Sequence, residues 1–191
     1  MKSITGCIVL FVSLCTLFIA DAQECMVSEN PAYDFKINLR GDSTIDDSVT
    51  LYFSFVNDFT AMSAQLVHLG TGWLAIALSA GGMIGSEAII GLPDEPISAT
   101  NPGKYYLGGY SASAVTLRDD DVQTLTSSSI VQDTTSTTLT FTKLLEEPGD
   151  VFVIDPFGVN TFLWAHGTSN TLGYHSVNRS PFVIDFGACM A

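Results

Sequence analysis

The chain has 191 residues, 47% of them hydrophobic, and a formal net charge of −13 at pH 7. Seven lysines and arginines against 20 aspartates and glutamates argue against nucleic acids and anionic membranes as partners, because both attract basic surfaces. The acidic residues are scattered, and residues 119–121 form their longest run. The charge therefore indicates solubility in an extracellular or acidic medium.

The N-terminus predicts a secretory signal peptide over residues 1–22. Lys2 supplies a positive charge, residues 4–19 are almost wholly apolar, and residues 20–22 have the small-x-small pattern that signal peptidase recognises. A membrane anchor is the alternative, but the apolar stretch is at the short end for a spanning helix. No later stretch reaches that length, and the C-terminus has neither a lipidation motif nor a hydrophobic tail. We therefore expect residues 23–191 to form one secreted, extracellular domain without a membrane span.

The cysteines are placed at the two ends of the predicted mature chain. Cys7 and Cys15 would leave with the signal peptide, whereas Cys25 and Cys189 would remain. An oxidising compartment favours a disulfide between Cys25 and Cys189, the alternatives being two free thiols or pairing with another chain.

Apolar and polar residues alternate along much of the mature chain, which is the two-residue period of a strand with one buried face. Residues 73–78 are apolar on both faces and predict a central strand that is covered on both sides. The predicted strands are residues 33–39, 49–56, 65–69, 73–78, 88–92, 105–110, 113–117, 124–132, 137–143, 151–154, 162–165 and 182–186. Around ten short strands joined by turns predict an all-β sandwich or barrel.

Familiar catalytic patterns are missing from the sequence. The mature chain has three histidines, His68, His166 and His175, and no Gly-x-Ser-x-Gly motif, so nothing in the spacing indicates a hydrolase. No His-x-His pair or His-Glu-x-x-His segment predicts a zinc or copper site, although scattered histidines could still meet at one metal. The glycine-rich residues 81–85 lack the Gly-x-Gly-x-x-Gly spacing of a dinucleotide loop. We expect a module that is not an autonomous enzyme.

One thioether and one imidazole remain as candidate metal ligands. Met83 follows the apolar strand in the segment GGMIGS, and His175 lies in the later segment GYHSVNR. A methionine after a strand is more often core filler, and a histidine in a loop is more often a surface residue. Haem iron, however, accepts this pair of axial ligands in electron-carrying cytochromes. The expected walls of such a haem pocket are Trp73, Phe157, Trp164, Tyr174 and Phe182.

The segments GWLAIALS, MIGSEA, WAHG and YHSVNR resemble DOMON domains, whose relatives include the cytochrome domain of cellobiose dehydrogenase and plant auxin-induced DOMON proteins. The resemblance covers residues 33–186. It implies an immunoglobulin-like β-sandwich, with Met83 and His175 as the axial ligands of a haem. Because no Cys-x-x-Cys-His segment is present, the haem would be the non-covalent b type.

The resemblance implies a secreted b-type cytochrome-like module that transfers single electrons to or from a separate extracellular partner. The alternative is a haem-free module that binds a carbohydrate or an extracellular protein. Tyr105, Tyr106 and Tyr110, which we expect to be exposed, favour that alternative slightly.

Three further residues lie near the predicted haem site. Asn178 begins an Asn-Arg-Ser glycosylation sequon, although the proline that follows lowers the chance of its use. Arg179 could bind a haem propionate or face solvent. His166 could line the pocket or compete with His175, and the preceding tyrosine favours His175 as the ligand.

Overall fold

The structure is a computed structural model that describes residues 23–39 and 49–191. The predicted signal peptide, residues 1–22, and the predicted loop over residues 41–47 lie outside the described residues. Within the described part of the chain, no helix has the length and hydropathy that crossing a bilayer requires.

The described residues form two antiparallel sheets of six strands each. The strands are β1 (Met26–Val27), β2 (Phe35–Leu39), β3 (Val49–Val56), β4 (Ala61–His68), β5 (Leu74–Leu78), β6 (Ser86–Gly91), β7 (Gly103–Leu107), β8 (Val115–Leu117), β9 (Thr126–Gln132), β10 (Thr137–Leu144), β11 (Val159–His166) and β12 (Arg179–Asp185). The first sheet has the order β1-β2-β3-β4-β10-β9, and the second has the order β12-β11-β5-β6-β7-β8. One helical turn, α1 (Phe186–Cys189), follows β12. The predicted β-sandwich is confirmed.

The core lies between the two sheets and follows from the alternation within each strand. In β5, Leu74, Ile76 and Leu78 point inward and join one continuous cluster with inward residues of the first sheet. Ala75 and Ala77 point to the opposite face, where they belong to a separate apolar cluster. Successive side chains of a strand point to opposite faces, so β5 contributes to two different apolar environments.

The prediction of a strand over residues 151–154 is wrong. This segment belongs to no strand of either sheet, although it is apolar throughout. The backbone N–H of Val151 donates instead to Glu87 Oε2 at 3.2 Å, and that of Ile154 donates to the Leu145 carbonyl at 2.9 Å. Val151 and Val153 are exposed, so their hydrophobicity does not report a buried face. The short strand β1 was not predicted, because two residues carry no period.

A buried ion network connects the two sheets. Lys143 of the first sheet has its Nζ 2.6 Å from Asp150 Oδ2, and Lys104 of the second sheet has its Nζ 3.2 Å from Asp150 Oδ1. Lys104 also pairs with Glu147. All four side chains are only 2% exposed, so each charge depends on its neighbours for compensation. Asp150 is the group that contacts a lysine from each sheet.

We expect Asp150→Asn to lower the free energy of unfolding by about 3–5 kcal/mol, because it removes one partner of a buried ion pair and leaves two buried ammonium groups undercompensated. Chemical denaturation measures the effect. Asp121→Asn, at an exposed carboxylate, is the control and should change stability little. Equal stability of the two variants would contradict a structural role for the network.

The predicted disulfide between Cys25 and Cys189 is present, with Cα atoms 5.3 Å apart and a sequence separation of 164. The bond joins the chain before β1 to α1 after β12, and both sulfur-bearing residues pack against the core. Such a long closed loop restricts the unfolded chain strongly.

We expect the double variant Cys25→Ser/Cys189→Ser to be less stable by about 2–4 kcal/mol, because the unfolded chain regains the entropy of the open loop. Thermal denaturation with and without reductant measures the loss. Reductant should lower the melting temperature of the wild type and leave that of the double variant unchanged. A wild-type melting temperature that is the same with and without reductant would contradict the prediction.

Candidate functional site

A cavity of about 460 Å³ lies on the outer face of the second sheet, opposite the first sheet. Its volume falls in the range of about 300–1,000 Å³ that is usual for ligand and cofactor pockets. The floor consists of outward-facing apolar residues from β5, β6 and β11 and is formed by Ala75, Ala77, Ala88, Ile90, Leu163 and Ala165. No aspartate or glutamate is among the lining residues, although the chain as a whole is strongly acidic.

The floor is recessed because small residues are paired across neighbouring strands. Ala77 is paired with Ala88 of β6, and Ala75 is paired with Ala165 of β11. The alternate residues of β5 are large and fill the core on the other side of the sheet. The sequence of β5, Leu-Ala-Ile-Ala-Leu, therefore alternates large and small residues. The prediction that β5 is buried on both faces is confirmed, since all five of its residues are buried, and its outer face also forms part of the cavity floor.

Met83 reaches the cavity from the turn between β5 and β6. Gly81 and Gly85 have φ values of +114° and +86°, a conformation that favours glycine. Ser79 Oγ accepts a hydrogen bond from the Gly81 N–H at 2.9 Å and donates to the Gly82 carbonyl at 2.8 Å. Ser86 Oγ donates to the same carbonyl. These bonds define the turn, so the thioether is presented at the cavity wall by a fixed backbone.

His175 lines the same cavity from the segment between β11 and β12. Its ring lies 5.5 Å from the Tyr174 ring and 6.2 Å, edge to face, from the Trp73 ring. The Trp73 indole needs glycine beneath it, because a Cβ at Gly167 would lie 2.2 Å from its Nε1. The glycine of the WAHG segment thus allows the indole to support the side of the cavity that carries His175.

Burial is the main influence on the His175 imidazole and lowers its pKa below the ordinary value. The hydrogen bond with the Ser176 carbonyl opposes this shift in the pKa. The positive charge of Arg179 and the neighbouring His166 lower the pKa of His175 further. A depressed pKa keeps the imidazole neutral at pH 7, which is the form that coordinates metals.

Arg179 lies at the rim of the cavity, close to His175. Its Nη1 is 3.2 Å from His175 Nδ1 and donates to the Ser176 carbonyl at 2.9 Å. The other four described basic side chains pair with carboxylates, as Lys36 does with Glu29. Among the described residues, Arg179 is the basic side chain without such a partner.

The residues proposed from sequence come together at this cavity. Its lining includes Met83, His175, Trp73, Trp164, Tyr174 and Arg179. The Trp164 ring also packs in the core between the sheets, so this residue supports the floor from behind. The roles of Met83 and His175 as ligands stay predictions, as does glycosylation of Asn178.

Two expected wall residues are placed elsewhere. Phe182 is 3% exposed and packs in the core between the sheets, because its position in β12 points inward. Phe157 is 64% exposed and contacts Phe59 at a ring distance of 5.1 Å. The expectation that both phenylalanines line the pocket is therefore wrong. The sequence signal that would have identified the true floor is the alternation of leucine or isoleucine with alanine in β5.

His166 does not line the cavity. It points into the sandwich, where its ring stacks on His68 with centroids 3.7 Å apart and on Trp164 at 5.9 Å. Residue 166 follows the inward-facing Trp164 by two positions, so both side chains lie on the same face of β11. In the described part of the chain, no group of three His, Cys, Asp or Glu residues could hold a metal ion.

No protein-family model matches the sequence, and no curated protein matches it significantly. A solved structure does match: the cytochrome domain of cellobiose dehydrogenase from Myriococcum thermophilum, with a TM-score of 0.59 and 16% sequence identity. The match covers 89% of this chain and 91% of that domain. Identity at this level is informative about the fold only. The chain therefore has the fold of a cellobiose dehydrogenase cytochrome domain, as the resemblance to DOMON domains predicts.

Proposed function

We propose that this protein is a secreted b-type cytochrome-like module in which Met83 and His175 bind a haem in the cavity. The observation that carries the proposal is their placement: two residues far apart in sequence line one apolar cavity on the outer face of the second sheet. The fold, which is that of a known cytochrome domain, supports the same conclusion.

The residues of the cavity suit a haem in several independent respects. A thioether and an imidazole are an axial ligand pair that haem iron accepts. The floor of alanine, leucine and isoleucine offers an apolar surface for a porphyrin. Arg179 at the rim can bind a propionate through its guanidinium group, and no carboxylate in the lining would repel that propionate.

A bound haem would supply a one-electron couple at its iron. The neutral His175 imidazole and the Met83 thioether would hold the iron, a ligand combination that raises the reduction potential. The apolar floor would exclude water from the faces of the ring. Because the Met83 and His175 side chains would both hold the iron, a substrate would have no free place on it. The role is then outer-sphere electron transfer, without autonomous catalysis.

The proposed setting is extracellular. The Cys25–Cys189 disulfide is typical of an oxidising compartment, which agrees with the signal peptide predicted over residues 1–22. The electron donor or acceptor would be a separate extracellular redox partner that approaches the cavity mouth.

A haem-free module that binds a carbohydrate or an extracellular protein is the second candidate. Tyr110 and Tyr174 line the cavity and are 75% and 74% exposed, so their rings are accessible for stacking. Tyr105 and Tyr106 are consecutive residues of β7, and their side chains point to opposite faces. Tyr106 and Tyr110 are exposed as predicted, whereas Tyr105 is partly buried against the outer apolar cluster, so the three tyrosines form no common platform.

We expect the purified protein to bind haem and to show the sharp Soret and α bands of a six-coordinate reduced haem. Met83→Ala and His175→Ala should each abolish these bands, because one axial ligand is lost in each variant. Ala77→Leu should prevent binding with both ligands intact, because the larger side chain fills the floor. Absorption spectroscopy of the oxidised and reduced protein is the measurement.

Met26→Ala is the matched control, since Met26 lies in β1 and is not part of the cavity lining. It should leave the spectrum unchanged. A wild-type protein that stays colourless after incubation with haem would overturn the proposal. Binding on a glycan array by that colourless protein would then favour the second candidate.

We expect His175 to titrate below the ordinary histidine pKa of about 6.5, because burial disfavours its charged form. The folded protein then binds fewer protons at this site than the unfolded chain. The stability contribution of neutral His175 is complete above about pH 6.5 and is lost as the pH falls through the folded pKa.

NMR titration of the His175 ring in haem-free protein measures the midpoint pH, at which this imidazole is half protonated. Arg179→Gln should raise the midpoint partway, because it removes a nearby positive charge while burial remains. The same titration in denaturant is the reference. A folded midpoint at or above the denatured one would contradict the assignment.

A further inference from the structure

The buried ion network between the sheets places an amine next to two carboxyl groups. Lys104 Nζ contacts Glu147 Oε2 and lies 3.2 Å from Asp150 Oδ1. The three side chains are only 2% exposed, so bulk water has little access to them. A nucleophile, an acyl carbon and a group that can move protons are the components that amide formation requires. The network therefore contains the reactants of a condensation within the folded chain.

The two oxygens of the Asp150 carboxylate have different surroundings. Oδ2 accepts hydrogen bonds from Lys143 Nζ at 2.6 Å and from the Glu147 backbone N–H at 3.1 Å. Two preorganised donors, one of them charged, stabilise the negative charge that develops on an oxygen when its carbonyl carbon is attacked. Oδ1 faces Lys104 instead. The contacts thus distinguish the oxygen that can remain as a carbonyl from the oxygen that can leave.

Glu147 is placed to carry protons. Its Oε2 contacts Lys104 Nζ and accepts a hydrogen bond from Thr124 Oγ1. Its Oε1 is buried and has no hydrogen-bond partner among the described residues. Buried polar atoms are normally satisfied, and an exception calls for an explanation such as a chemical role. Uptake of a proton from the amine is a role that this carboxylate can perform.

We propose that Lys104 and Asp150 form an amide bond, a covalent cross-link between β7 of the second sheet and the segment that follows β10 of the first. One proton passes from Lys104 Nζ to Glu147, and the neutral amine attacks Asp150 Cγ. Negative charge then develops on Oδ2, where Lys143 Nζ and the Glu147 N–H stabilise it.

The atoms and charges of this condensation balance without a co-reactant. The bond between Cγ and Oδ1 of Asp150 breaks, and Oδ1 leaves as water. Its two hydrogens come from Lys104 Nζ by way of Glu147, and the nitrogen keeps one hydrogen as the amide N–H. One ammonium and one carboxylate are consumed together, so the net charge of the chain does not change. Lys143 and Glu147 remain as one positive and one negative group.

Lys104 is the amine that reacts, although Lys143 also contacts Asp150. The Lys143 Nζ lies against Oδ2 and donates to the Leu144 carbonyl at 2.8 Å. In the described part of the chain, Glu147 pairs with Lys104 and not with Lys143. Lys104 therefore has both the acyl group and the proton acceptor next to its nitrogen.

The fold favours the bond by holding its partners together and by excluding water. Well-oriented groups within one molecule react as if they were present at about 10⁵–10⁸ M, which can offset the unfavourable condensation of charged groups. A cavity of about 10 Å³ adjoins Lys104 and Lys143 and is otherwise lined mainly by apolar residues. This volume is at the lower limit for one water molecule, so the released water has a place next to the site.

Peptide mapping of the denatured and reduced wild-type protein by mass spectrometry tests the inference. The digest should contain a branched peptide in which Lys104 is joined to Asp150, and the mass of this peptide should be lower than the sum of its two parts by one water. Trypsin should not cleave after Lys104, because its side chain has lost its charge. A folded wild type without the branched peptide, or with Lys143 joined instead, would overturn the proposal.

Two variants separate the chemistry from the fold. Lys104→Met removes the nucleophile, and Glu147→Gln keeps the size of the side chain but removes its ability to accept a proton. Both variants should lack the cross-link, and circular dichroism should show that Glu147→Gln is folded. Lys36→Met, at an ion pair with Glu29 outside the network, is the matched control and should keep the cross-link. A cross-link in folded Glu147→Gln would show that the mechanism is wrong.

The wild-type digest decides whether the bond exists, even if a variant fails to fold. Its outcome is independent of the proposed haem function, because none of the described residues of the network lines the cavity on the outer face. A protein that carries the cross-link and stays colourless with haem would contradict the haem function alone. A protein that binds haem and lacks the cross-link would contradict the amide bond alone.

Discussion

The alternation of large and small residues in one strand is the constraint on which the site depends. The extended backbone of β5 places Leu74, Ile76 and Leu78 between the sheets and Ala75 and Ala77 on the outer face. The large residues hold the two sheets together through buried apolar area. The small residues, paired with alanines of β6 and β11, leave the recess that becomes the cavity. Stability and binding are thus assigned to opposite faces of the same strand.

The candidate ligands are carried by segments at the border of this recess, and each segment is fixed by its own local bonds. The turn between β5 and β6, which carries Met83, depends on the positive φ of Gly81 and Gly85 and on the hydroxyl groups of Ser79 and Ser86. The His175 turn depends on backbone hydrogen bonds within residues 175–179. Because the sheet provides the floor and the loops provide polar groups, each can change without disrupting the other.

Charge is distributed in a way that isolates the site. Four of the described basic side chains are paired with carboxylates, including the buried lysines that connect the sheets through Asp150. The cavity lining contains no carboxylate and one guanidinium group, that of Arg179. Within the described part of this acidic chain, whose formal net charge is −13, Arg179 is thus the positive charge at the cavity that no carboxylate compensates. The same guanidinium group contacts the imidazole proposed to bind iron.

The sequence by itself predicted the β-sandwich and favoured the Cys25–Cys189 disulfide, because period-two alternation and cysteines near the two ends of the predicted mature chain are local signals. The candidate ligands Met83 and His175 came from the resemblance to DOMON domains, and their roles stay predictions. The sequence did not determine whether the strand face that carries a given side chain lies against solvent, the core or the cavity. Phe182 and His166, both candidates for the pocket from sequence, point into the sandwich, and the apolar segment 151–154 forms no strand. Only the tertiary structure decided these points, since the direction of a side chain and the partner of a strand depend on residues far away in sequence.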